Sequence, residues 1–137
     1  MSGETVVLSS VRNAARVLTS FSLRDRELGV SELARRLGVG KSTAHRLAVT
    51  LATEGLLEQN RANGKYRLGL RMYDLGSLVS VQMDLHEAAA DRLQDLRNLT
   101  GETVQLAVLD GREVVYVERL ESSHTIRLWG RVGHRNV

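Results

Sequence analysis

Apolar residues in the first third of the chain recur at intervals of three and four. Over 9–22, Val11, Ala14, Ala15, Leu18 and Phe21 fall on one face of a predicted helix, with Ser9 or Ser10 placed to cap it. The polar stretch 24–29 reads as a connection. A second helix is predicted from Ser31, whose hydroxyl can cap the free N–H groups of the first turn. Its stripe is Val30, Leu33, Ala34 and Leu37, and Gly38 stops it. A third helix starts near Lys41 or Ser42 and runs to Glu54, with Ala44, Leu47, Ala48 and Leu51 inward and Gly55 as its stop signal.

After Gly55 the period shortens. Residues 56–61 and 65–69 alternate weakly around Ala62-Asn63-Gly64, where Asn-Gly supplies positions that tolerate positive φ. This predicts a two-stranded hairpin with a basic tip. The helical period returns over 70–83, with Met72, Leu75, Leu78, Val79 and Met83 on one side. It continues over 84–99, with Leu85, Ala88, Ala89, Leu93, Leu96 and Leu99 inward, up to Thr100-Gly101. Residues 103–109 and 113–120 are β-rich runs flanking Asp110-Gly111, a second hairpin, and 125–131 reads as a further strand. The pattern therefore predicts an α+β chain: an N-terminal winged helix-turn-helix over 1–69, a linker helix over 70–83, and the start of an α/β domain with an antiparallel curved sheet over 84–137.

Composition narrows the chemistry. There is no Cys, so disulfides, thiolate metal sites and Cys nucleophiles are excluded, and a reducing cytoplasm is the expected compartment. No basic start followed by an apolar run marks a signal peptide, and no apolar run reaches the ~20 residues of a membrane helix. Asn98-Leu99-Thr100 is then read as a chance sequon. The net charge of +3 is unevenly placed: residues 1–69 hold eleven Lys+Arg against six Asp+Glu, and 70–137 hold eight Arg against ten Asp+Glu. A basic first half suggests a module facing a polyanion.

The stretch 31–54 carries the strongest functional signal. Two short helices meet across Gly38-Val39-Gly40, a turn too tight for bulky residues, and the small Ala34 lets them cross closely. This is the helix-turn-helix arrangement, whose second helix enters the major groove. The outer face of that helix offers Lys41, Ser42, Thr43, His45, Arg46 and Thr50, donors and cations suited to base edges and phosphates. Ser31 stands at the start of the first helix. On the hairpin, Arg61, Lys65, Tyr66 and Arg67 surround the turn, where cations gain from counterion release.

Other motifs carry little. Gly38-Val39-Gly40-Lys41-Ser42-Thr43 looks like the end of a phosphate-binding loop, but Arg35 stands where that motif needs Gly and the preceding segment is helical. His86-Glu87 lacks a second His at position 90, which is Ala; His124 and His134 have no ligand spacing around them. The three are read as structural or surface residues. No metal, no cofactor and no catalytic constellation is expected.

The residues quoted so far resemble the IclR family of bacterial transcriptional regulators. The likeness rests on Val11-Arg12-Asn13-Ala14-Ala15-Arg16-Val17-Leu18, Ser31-Glu32-Leu33-Ala34-Arg35-Arg36-Leu37-Gly38 and Lys41-Ser42-Thr43-Ala44-His45-Arg46-Leu47. It continues through Glu54-Gly55-Leu56-Leu57, Tyr66-Arg67-Leu68-Gly69, Leu99-Thr100-Gly101-Glu102-Thr103-Val104-Gln105-Leu106 and Val115-Tyr116-Val117-Glu118. The resemblance implies a regulator, repressor or activator, that binds double-stranded operator DNA as a homodimer or homotetramer. It also implies control by a small organic acid held in the C-terminal domain. Family members continue past this point with a proline-containing segment, whereas this sequence has no Pro and stops after Gly133-His134-Arg135-Asn136-Val137. The chain is therefore read as a partial form lacking most of the effector pocket, with Trp129, Gly130, Val132 and Gly133 as candidate pocket residues. Two other classes compete. A winged-helix protein-interaction module would show apolar residues where Lys41, Arg46, Arg61, Lys65 and Arg67 stand, and an enzyme over 84–137 would need a nucleophile or acid–base pair that the sequence lacks.

Overall fold

The computed structural model describes residues 6–83, 85–122 and 132–136. Two compact units divide the chain, Met1–Gly76 and Ser77–Val137. The architecture is α+β, with five helices and two small antiparallel sheets among the described residues.

In the first unit, α1 (Ser9–Leu18), α2 (Val30–Leu37) and α3 (Lys41–Thr53) pack around Val17, Leu28, Leu33, Ala34, Leu37, Ala44, Ala48 and Leu51, and Leu57 and Tyr66 of the hairpin complete the core. The hairpin strands β1 (Leu57–Gln59) and β2 (Tyr66–Leu68) pair in the register Leu57↔Leu68, Glu58↔Arg67, Gln59↔Tyr66. Alanine at 44 and 48, both fully buried, lets α3 approach its neighbours closely, and the leucines fill the remaining space. Each fully buried leucine contributes about 1.5–3 kcal/mol.

Several expectations change here. The first helix ends at Leu18 and does not reach 22, because the Thr19 hydroxyl donates to the Ala15 carbonyl at 3.1 Å and the Ser20 hydroxyl to the Arg16 carbonyl at 2.7 Å, closing the last turn. Neither Ser9 nor Ser10 caps it: the N-cap is Leu8, with no side-chain hydrogen bond. Its buried residue is Val17, while Val11 and Ala15 are exposed. Ser31 is not the cap of α2 either. The connection 24–29 carries a β-bridge in which Leu28 N–H donates to the Tyr66 carbonyl and Tyr66 N–H to the Leu28 carbonyl, each at 2.9 Å. With Leu28 fixed in the sheet, the helix starts at once, with Gly29 as N-cap, and Ser31 lies inside the first turn. Arg36 then ties this region together. Its guanidinium donates to the Ser20 carbonyl at 2.8 Å and meets Glu32 at 2.7 Å and Asp25 at 3.1 Å.

Helix α4 (Leu70–Gln82) contains the division between the units and buries none of its residues; Leu70, Tyr73, Leu75, Leu78, Val79 and Val81 are exposed.

In the second unit, α5 (Leu85–Thr100) precedes β3 (Val104–Asp110), β4 (Glu113–Leu120) and β5 (Arg135–Asn136), which form one sheet in the order β3-β4-β5. The β3–β4 register shifts between Leu106 and Ala107, a bulge that leaves Val117 unpaired and buried. The face of α5 turned from solvent is Leu85, His86, Ala89, Leu93 and Arg97; Ala88, Leu96 and Leu99, expected inward, are exposed. His86 is structural in this unit: its Nδ1 lies 2.9 Å from Glu118 on β4. Strand β5 was not foreseen, and Arg135 fastens it to the hairpin through Asp110 at 2.8 Å and Glu113 at 2.9 Å. The strand expected over 125–131 lies outside the described residues.

Candidate nucleic-acid interface

The turn between α2 and α3 works because Gly38 takes a left-handed conformation, φ 69°, and its successor Val39 donates its N–H to the Ala34 carbonyl at 3.1 Å. That geometry sets α3 across α2 with a fixed face outward. Lys41, Ser42, Thr43, His45, Arg46 and Thr50 are all exposed, on the opposite side from Ala44, Ala48 and Leu51. Among the described residues, neither Lys41 nor Arg46 has a carboxylate within ion-pair distance, and the hydroxyls of Ser42 and Thr43 donate to no protein group. Thr50 differs: its hydroxyl donates to the Arg46 carbonyl at 2.7 Å, so only its acceptor capacity is free. Val49, half-exposed between Arg46 and Thr50, also belongs to this face. The sequence signal for it was an apolar residue standing off the inner stripe.

Both helices that frame the site begin without a side-chain cap. Gly40 precedes α3 and Gly29 precedes α2, each in an extended conformation, and the Ser31 hydroxyl on the first turn of α2 is exposed. First-turn N–H groups left without acceptors, at the positive end of a helix dipole, favour an anion.

The hairpin, or wing, places its candidates unequally. Arg61 and Lys65 are exposed and without ion-pair partners among the described residues. Arg67 is already clasped by Glu58 across the strands, with Nη2 at 2.9 Å and Nε at 3.3 Å from its two oxygens. That contact raises the guanidinium further above its ordinary value, chiefly through the hydrogen bond, and lowers Glu58. Tyr66 is corrected: it is 2% exposed, packed in the core, and presents no surface to a ligand. Its neighbours in sequence are basic, but strand alternation turns its ring inward. The wing tip is a four-residue loop, 61–64, in which Asn60 N–H donates to the Lys65 carbonyl at 2.8 Å and Gly64, at φ 72°, donates to the Asn60 carbonyl at 2.7 Å. Glu27, a residue the sequence reading left in a plain connection, accepts hydrogen bonds from Asn60 and Asn63 of this loop.

Of the four pocket candidates in the second unit, Trp129 and Gly130 lie outside the described residues, and Val132 and Gly133 sit exposed before β5. Among the described residues no group of three or more His, Cys, Asp or Glu could hold a metal ion, and no helix is long and apolar enough to cross a membrane.

Comparison with known proteins follows the same division of the chain. Residues 10–61 match the IclR helix-turn-helix domain, and residues 78–137 match the bacterial transcriptional regulator IclR C-terminal family. Among curated proteins, the chain is similar to the HTH-type transcriptional regulator XynR of Escherichia coli, 36% identical over 94% of this chain and 51% of the relative. It is also 33% identical to the HTH-type transcriptional regulator KdgR of the same species, over 94% of this chain and 49% of the relative. The chain spans about half the length of these relatives. Among solved structures, an IclR homolog from Microbacterium hydrocarbonoxydans complexed with 4-hydroxybenzoate superposes with a TM-score of 0.81 at 31% identity, covering 93% of this chain and 53% of that one. An IclR-type regulator from Alicyclobacillus acidocaldarius gives a TM-score of 0.78 at 28% identity, covering 96% and 54%.

Proposed function

Because the chain belongs to the IclR family of bacterial transcriptional regulators, we propose that its first unit binds double-stranded operator DNA as a sequence-specific regulator. The DNA-binding part is 1–69, joined through a linker at 70–83 to the part of an effector domain at 84–137. The observation that carries this reading is the outward face of α3: six exposed polar or cationic residues, without carboxylate partners among the described residues, on a helix anchored by alanines and leucines. In this reading α3 lies in the major groove, where Arg46, His45, Ser42, Thr43 and Thr50 reach base edges and Val49 can meet a thymine methyl group. Lys41 and Ser31, near the uncapped starts of α3 and α2, meet phosphates, and the wing adds Arg61, Lys65 and the partly engaged Arg67.

Arg46→Ala and Thr43→Ala should each relax base preference by about 1–3 kcal/mol where the contact is bidentate. Selection from a randomised duplex library measures this, and an unchanged selected motif for both variants would remove α3 as the reader. Two copies are expected to act together on paired half-sites, supported by the exposed apolar residues of α4, Tyr73, Leu75, Leu78, Val79 and Val81. Light scattering on the chain and on a Leu75→Asp, Val79→Asp variant tests this; a monomer at micromolar concentration for the former contradicts it. For the whole protein, a cytoplasmic regulator, the 4-hydroxybenzoate bound by the similar Microbacterium structure supports a small organic acid as effector class.

A further inference from the structure

The wing loop uses two of its side chains twice. Asn60 Oδ1 accepts the Ala62 N–H at 3.0 Å, and Asn63 Oδ1 accepts the Lys65 N–H at 2.9 Å. With the oxygens committed to the loop backbone, both amide nitrogens converge on one carboxylate outside the hairpin. Asn60 Nδ2 donates to Glu27 Oε1 at 2.9 Å, and Asn63 Nδ2 donates to Glu27 Oε2 at 2.8 Å. Both partners are distant in sequence, 33 and 36 residues away. Within the hairpin Gln59 Nε2 also donates to the Gly64 carbonyl at 3.0 Å; among the described residues no other side-chain hydrogen bond joins 60–65 to residues outside the hairpin.

We propose that Glu27 is a positioning residue for DNA binding, a carboxylate latch that holds the wing loop in the shape presenting Arg61 and Lys65 to the phosphate backbone. This deepens the DNA-binding reading above and rests on it. The sign of the charge makes the inference sharp. A carboxylate beside a polyanion-binding surface repels the ligand, so judged by charge alone its removal should tighten binding. As a latch it does the opposite. It spends both oxygens on fixing the loop between the two cations, and the loop's own backbone bonds fix which way each amide points. The carboxylate is held below the ordinary glutamate value, first by Asn63 and then by Asn60, with smaller help from Arg67 and Lys65, as expected of an ionised acceptor.

The full chain, Glu27→Ala and Glu27→Gln are titrated with a mixed-sequence DNA duplex across a range of salt, after thermal unfolding has set a temperature at which all three are folded. One lost phosphate contact lowers the slope of log K against log salt by about 0.9. Glu27→Ala should bind more weakly, with the slope reduced by about 0.9–1.8, one to two contacts, approaching an Arg61→Ala, Lys65→Ala double variant. Glu27→Gln also loses the charge but keeps one acceptor oxygen, and should fall between the two. Without DNA, amide exchange at Ala62, Gly64 and Lys65 should accelerate in Glu27→Ala while the core of α3 is unchanged. Unchanged or tighter binding by Glu27→Ala, equal behaviour of the two variants, or unaltered exchange in the wing overturns the latch. If the unsubstituted chain itself shows no salt-dependent binding, the DNA-binding reading falls and the positioning role falls with it. Failure of the latch alone leaves that binding intact.

Discussion

The two units are written in the same sequence grammar and end with unequal interiors. The first buries ten apolar residues around one centre; among the described residues of the second, only Val104 and Val117 reach comparable burial, each 9% exposed. Yet α5 also carries a run of apolar residues at helical spacing, Leu85, Ala89, Leu93, Leu96 and Leu99, though set apart from its polar residues less sharply than in α2. The difference teaches that periodicity states which face of an element needs cover and is silent on what covers it. In α2 the cover comes from α1 and α3, close in sequence. In α5 Leu85, Ala89 and Leu93 are only partly covered, while Leu99 stays 84% exposed, and on β3 Leu109 stays 75% exposed.

The widest gap between the units should appear on truncating a leucine in each. Leu33→Ala removes a side chain with no exposed surface and is expected to cost about 2–5 kcal/mol. Leu99→Ala should stay within about 0.5 kcal/mol. Chemical denaturation of both variants checks this, and an equal cost would break the comparison by showing that Leu99 is covered in solution by another molecule.

A finer contrast uses one substitution at two glycines. A Cβ at Gly69 would run into the Gly55 carbonyl, backbone that cannot swing aside, so Gly69→Ala should destabilise by about 1–3 kcal/mol. A Cβ at Gly76, within α4, meets nothing within 4 Å, and Gly76→Ala should stabilise by about 0.5–1 kcal/mol through helix propensity. Thermal unfolding reads both signs.

The smallest effect is local and acid-dependent. Glu27 and Glu58 are both held below the ordinary glutamate range, Glu27 by Asn63 and Asn60 and Glu58 by Arg67. A carboxyl whose folded value lies below its unfolded value contributes full stability above the unfolded value and loses it as pH falls through the folded one. Acidification below the ordinary glutamate range should therefore loosen the wing before the three helices. Residue-resolved amide exchange against pH measures the order, and simultaneous loss across the unit would contradict it.

Much of the first unit was legible because its contacts are local. The stripe of α3, the stop at Gly55 and the tight turn at Gly38 follow from residues a few positions apart. What escaped depends on distant pairing. Leu28 looked like part of a polar connection because its partner, Tyr66, lies on the far strand; Tyr66 looked like a ligand contact because its sequence neighbours are basic. Val17 gives no signal of its own in the sequence because Val11, Ala14, Ala15, Leu18 and Phe21 make a complete stripe without it, although the helix stops before Phe21. Glu27 gave no local signal, since an isolated acid acquires its role only from amides more than thirty residues away. Of the candidate interface, the face of α3 could be read from spacing, whereas the division of the wing cations into Arg61 and Lys65, without ion-pair partners among the described residues, and engaged Arg67 needed the cross-strand register.

Helix α3 keeps its two vocabularies apart. Its anchoring positions are chiefly alanines, which have no rotamers to rearrange, and its outward positions are exposed. New side chains can therefore be written onto Ser42, Thr43, His45 or Arg46 without repacking the interior. In the role proposed for α3, a lineage carrying this helix can explore new target sequences at little risk to folding, and a designer can treat those positions as an interchangeable cassette.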